Sequence, residues 1–121
     1  MRILVIEDDL SVRETLGLVL EACDYDADLV EGWDQAKTYL SKQWPDAMLL
    51  DLTLGGMTGE EVYEKIERQF GKVPPTVVLS AAQEGASRAS TMPGAWFLAK
   101  PYTIEQLTAI LTEAIASRGA A

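Results

Sequence analysis

Four apolar runs in this chain each end in a group that can do chemistry. Ala47-Met48-Leu49-Leu50 runs into Asp51. A charge is costly inside a core, so Asp51 belongs at the exit of a buried strand, where water or a cation compensates it. Ile3-Leu4-Val5-Ile6 ends in Glu7-Asp8-Asp9, Thr76-Val77-Val78-Leu79 ends at Ser80, and Trp96-Phe97-Leu98-Ala99 ends in Lys100-Pro101. In a parallel sheet these ends share one edge, so acids, a lone Asp, a hydroxyl and an ammonium converge on one cleft. Oxygen-only ligands suit Mg²⁺, and a divalent ion relieves the repulsion among crowded carboxylates. An Asp carboxylate can accept a phosphoryl group as an acyl phosphate. The help that step needs is charge neutralisation at the transferring oxygens, by metal and by Lys.

Each stretch also has a plainer reading. Glu7-Asp8-Asp9 suits an N-cap and first-turn acids, and Asp51 a turn at a strand end. Ser80 could cap the next helix and Lys100 could open a loop. The bond from Lys100 to Pro101 can be cis. Trp96 and Phe97 read first as core aromatics. It is the four stretches taken together that favour a site.

The elements that position these residues alternate. Strands are predicted at about 2–7, 27–30, 46–51, 76–79 and 95–99. Helices are predicted at about 10–23, 33–43, 59–69 and 103–117, with a weak Ala/Ser-rich helix at 81–92 that contains Gly85 and ends at Pro93. The first helix is expected to bury Val12, Leu16, Val19, Leu20 and Cys23. The last is expected to bury Ile104, Leu107, Leu111, Ala114 and Ile115. Five βα repeats predict an α/β doubly wound parallel sheet with helices on both faces. Ligands of such sheets bind beyond the carboxyl ends of the strands.

At 121 residues the chain fits one domain, 1–121, with a core of its own. Its net charge of −9 argues against nucleic acid and against an anionic membrane surface as partners. No apolar run is long enough to span a bilayer, and no signal peptide is evident. A lone Cys23 forms no intrachain disulfide, which fits a cytoplasmic setting. The absence of His removes imidazole chemistry and His-ligated metals.

In order, the acidic pair after the first strand, Asp51, Ser80 and Lys100-Pro101 resemble the receiver domain of bacterial two-component response regulators. The resemblance covers essentially the whole chain. It implies a five-stranded sheet in the order 2-1-3-4-5, flavodoxin- and CheY-like, and a signalling module rather than an enzyme. Asp51 would be the phosphorylation site, with Ser80 and Lys100 contacting the phosphoryl group. Glu7, Asp8 and Asp51, with the backbone carbonyl of Thr53, would hold Mg²⁺. Asp8 and Glu7 are preferred to Asp9 because Arg13 matches the family's Arg on the first helix. Ser80 and Phe97 would form the switch. The donor would be a histidine kinase or a histidine phosphotransfer protein. Ser11, Thr15, Leu18, Ala22 and Tyr102 are the docking candidates. A downstream protein partner is implied without being identified, and so is a phosphorylation-dependent dimer through the face between the helices at 81–92 and 103–117. The chain starts at Met1 and shows no effector module, which suggests a single-domain response regulator.

The sequence departs from the family at several places. Gly55 stands where relatives usually carry Pro, and the interval from Ser80 to Lys100 is short. Gly55 should make its loop more mobile, and the short interval, with Gly85 and Pro93, predicts a short or irregular fourth helix and an altered output face, with Trp96 exposed. Phe97 lacks the hydroxyl of a Tyr. Ala82 offers nothing to orient a water, so slow self-dephosphorylation is expected. A receiver that works without phosphorylation is the main alternative. An Asp-nucleophile phosphatase would need an acid where Thr53 stands. A flavin carrier would need a phosphate-cradling loop after the first strand.

Overall fold

The computed structural model describes residues 1–52, 57–81, 92 and 94–117. The strands are β1 (Arg2–Ile6), β2 (Asp26–Val30), β3 (Ala47–Asp51), β4 (Thr76–Ala81) and β5 (Trp96–Lys100). The described helices are α1 (Leu10–Ala22), α2 (Trp33–Lys42), α3 (Gly59–Phe70) and α4 (Ile104–Ser117). The helix expected at 81–92, with Ala82, Gly85 and Pro93, falls almost entirely outside the described residues, as do Thr53 and Gly55. Here α4 is therefore the C-terminal helix.

All strand pairs are parallel, in the order β2-β1-β3-β4-β5. Alternation along the strands splits the core in two. Leu4, Ile6, Met48, Leu50 and Val78 face α2 and α3, while Ile3, Val5, Leu49, Val77 and Leu79 face α1 and α4. Every residue of β3 is buried, as expected for a central strand covered on both faces. Among the described residues no helix is long and apolar enough to cross a membrane.

Local chemistry sets the helix starts. Asp9 caps α1, its carboxylate accepting from the Val12 amide at 3.1 Å. Thr58 and Glu61 form a capping box at α3, and Gly71, at φ 76°, closes that helix with its amide on the Glu67 carbonyl.

Several expectations need correction. Val12 is 38% exposed and Ile104 52% exposed. Both lie in the first turn of a helix, beyond the part that packs on the sheet. Cys23 and Ile115 are only partly buried. Trp96 is half-buried rather than exposed and packs against the α1/α4 side of the core. β4 continues through Ser80 to Ala81, because pairing with β5 extends that far.

Candidate functional site

The topology brings four strand ends together. Asp51 is the last residue of β3 and pairs with Leu79 of β4, one residue before Ser80; Ser80 pairs with Ala99 of β5, one residue before Lys100. Glu7 follows β1, the neighbour of β3 on its other side. Asp51, Glu7 and Ser80 are all nearly inaccessible, at 4%, 3% and 1% exposure.

The geometry is that of an acidic pocket closed by one ammonium. Lys100 Nζ donates to Asp51 Oδ2 at 2.6 Å. The peptide bond from Lys100 to Pro101 is cis. Glu7 Oε1 accepts from the Asp9 amide at 3.0 Å, whereas Glu7 Oε2 is buried with no hydrogen-bond partner. Burial, and then the neighbouring Asp51 carboxyl, push the Glu7 carboxyl up to about 8; the Asp9 amide and Lys100 oppose this. Among the described residues, Lys100 is the one ammonium paired with Asp51, and near neutral pH the raised Glu7 carboxyl is largely protonated.

Arg13 sets the backbone of the acidic loop. Its Nη1 donates to the Glu7 carbonyl at 3.0 Å and to the Asp8 carbonyl at 3.4 Å, and its Nη2 lies 3.7 Å from Glu31. Asp9 is committed to capping α1. Asp8 is exposed and lines a shallow groove beside Glu31, Trp33 and Asp34. Among the described residues no three acidic or thiol side chains are gathered closely enough to hold a metal. What the pocket does provide is the orphaned Glu7 oxygen facing a second carboxyl, and every candidate donor is an oxygen. That donor set fits a hard divalent cation.

The other candidates divide. Phe97 is half-buried and packs on the α2/α3 side of the core. Ser11, Thr15, Leu18 and Ala22 are all exposed. Of these only Ser11 and Thr15 join Tyr102, in a groove of about 350 Å³ between α1 and the start of α4. Val12, Leu16, Val19, Ile104 and Leu107 line the rest of it. The Tyr102 phenol is pushed up by burial, then by Asp51 and Glu7, so this groove lies within electrostatic reach of the acidic pocket. Reading by sequence missed Val12 and Ile104 as groove residues. Their apolar type at core spacing assigned them to the interior.

Residues 3–112 match the response regulator receiver domain family. The chain belongs to this family. As a receiver domain it is 32% identical over 111 residues to the response regulator MprA of Mycobacterium avium, covering 90% of this chain and 48% of that protein. It thus spans about half the length of the curated relatives it matches. Among solved structures it is similar to a sensor protein from Polaromonas sp. JS666, with TM-score 0.85, 30% identity and 96% of each chain covered. It is also similar to the receiver domain of a sensor histidine kinase from Pseudomonas aeruginosa PAO1, with TM-score 0.82, 28% identity, and 96% and 98% of the two chains covered. That protein carries a magnesium ion coordinated in its active site cleft.

Proposed function

We propose that this receiver domain accepts a phosphoryl group on Asp51 from a phosphohistidine donor, a histidine kinase or a histidine phosphotransfer protein. The observation that carries the reading is the 2.6 Å contact between Lys100 and a buried Asp51 at the carboxyl edge of the sheet. An Asp51 oxygen attacks phosphorus, the P–O bond forms as the P–N bond breaks, and the imidazole leaves with a proton. Lys100 would move from the carboxylate to the phosphoryl oxygens, and the Ser80 hydroxyl would donate to them. Glu7, Asp8 and Asp51, with the Thr53 carbonyl, would hold Mg²⁺. Bound there, the ion would neutralise charge on the transferring oxygens.

The groove between α1 and α4 is the proposed seat of the donor. Its apolar floor with a rim of Ser11, Thr15 and Tyr102 fits the apolar face of a helix. Phosphorylation would shift Ser80 and Phe97 between two packings, biased by contacts made only in the phosphorylated state. Acetyl phosphate with Mg²⁺, followed by intact mass, tests the acceptor. A gain of one phosphoryl group in the wild type, absent in Asp51→Asn, is expected.

A further inference from the structure

We propose that Gly59 is a positioning residue for the acceptor: by having no side chain it lets α3 start directly on the backbone that carries Asp51. The inference rests on the phosphoacceptor reading above. Gly59 is buried, as the first residue of α3. A Cβ there would lie 2.8 Å from Leu52 Cδ2, 2.9 Å from the Asp51 carbonyl oxygen and 2.9 Å from Leu52 Cα. The leucine methyl can swing aside, but the other two atoms are backbone and cannot.

Neither side of this contact yields easily. β3 is held by β1 and β4, and the Leu52 amide donates to the Leu79 carbonyl at 3.1 Å. α3 is held by the buried Val62, Tyr63 and Ile66 and by the Thr58–Glu61 capping box. A methyl group at 59 must therefore displace the end of β3, the start of α3, or both. The atoms that move include the carbonyl of the acceptor itself and Leu52, which precedes Thr53 in the chain. Asp51 would shift against Lys100, 2.6 Å away, and against Glu7. Helix propensity alone predicts the opposite, since Ala is the better helix former.

Gly59→Ala tests this, with Mg²⁺ affinity measured by titration calorimetry at a temperature where circular dichroism shows the protein fully folded. We expect affinity at least tenfold weaker than wild type. The matched control is Gly32→Ala, where a Cβ meets nothing within 4 Å; it should bind as wild type does. Should Gly59→Ala not fold, Gly59→Ala with Leu52→Val takes its place, because it removes the methyl contact and keeps both backbone contacts. That double variant should still bind at least tenfold more weakly. Wild-type affinity in a folded Gly59→Ala, or in the double variant, overturns the inference and leaves the acceptor reading standing. A wild-type protein that binds no Mg²⁺ overturns both.

Discussion

Among the described residues, Glu7 is the carboxyl whose ionisation burial and a neighbouring carboxyl most oppose, pushing it up to about 8. One of its oxygens is bound by the Asp9 amide, the other is buried without a partner, and Asp51 lies alongside. Glu7→Gln should therefore have opposite effects on stability and on metal binding. The amide removes a carboxyl from a crowded, buried site and can donate to Asp51. Without metal, the variant should be more stable by roughly 1 kcal/mol, as when a functional site is relieved of strain. Its Mg²⁺ affinity should fall at least tenfold. Urea unfolding in EDTA and a Mg²⁺ titration check the two halves. The importance of Asp51 and Lys100 was legible in the sequence, because a charge that ends an apolar run has few places to sit. The division of labour among Glu7, Asp8 and Asp9 was less so. Spacing alone permits any of the three to cap α1, and only the hydrogen bond from the Val12 amide assigns that role to Asp9.

At the scale of elements, α1 and α4 do two jobs. Leu16, Leu20, Leu107 and Leu111 pack on the sheet, while Val12 and Ile104 open onto the groove between the helices. Helical periodicity identified the apolar stripe but not its end. The first turns of both helices project past the packed part of the sheet, so residues at core spacing there reach solvent. The reach of β4 through Ser80 was likewise hidden, since a hydroxyl in a strand resembles a helix cap until its pairing with Ala99 is seen. Ile104→Asp puts a charge in the groove at a half-exposed position, so the fold should be unaffected. Transfer from a phosphohistidine donor should fall at least tenfold, whereas labelling by acetyl phosphate, which needs no docking, should match wild type. Parallel time courses with the two donors check this; equal losses would place Ile104 in the chemistry instead of in docking.

For the whole molecule, strand order is what turns scattered residues into a site. The order β2-β1-β3-β4-β5 sets Glu7, Asp51, Ser80 and Lys100 on consecutive neighbours, although the chain separates them by up to 93 positions from Glu7 to Lys100. The alternation of strands and helices made a parallel sheet with helices on both faces readable from sequence, whereas the strand order came from the resemblance to receiver domains. The acidic balance, −9 overall, adds long-range attraction for a cation. Mg²⁺ should therefore raise global stability. At a hundred times its dissociation constant the gain is about 2.7 kcal/mol, and EDTA should abolish it. Thermal melts across a Mg²⁺ series check this, and Asp51→Asn should flatten the dependence.

The most direct test of the account is the mass of the protein after incubation with acetyl phosphate and Mg²⁺, with fragmentation to locate any added group. The account predicts one phosphoryl group, on Asp51, absent in Asp51→Asn and absent without the metal. An unchanged wild-type mass, or a phosphoryl group that persists in Asp51→Asn, would contradict it.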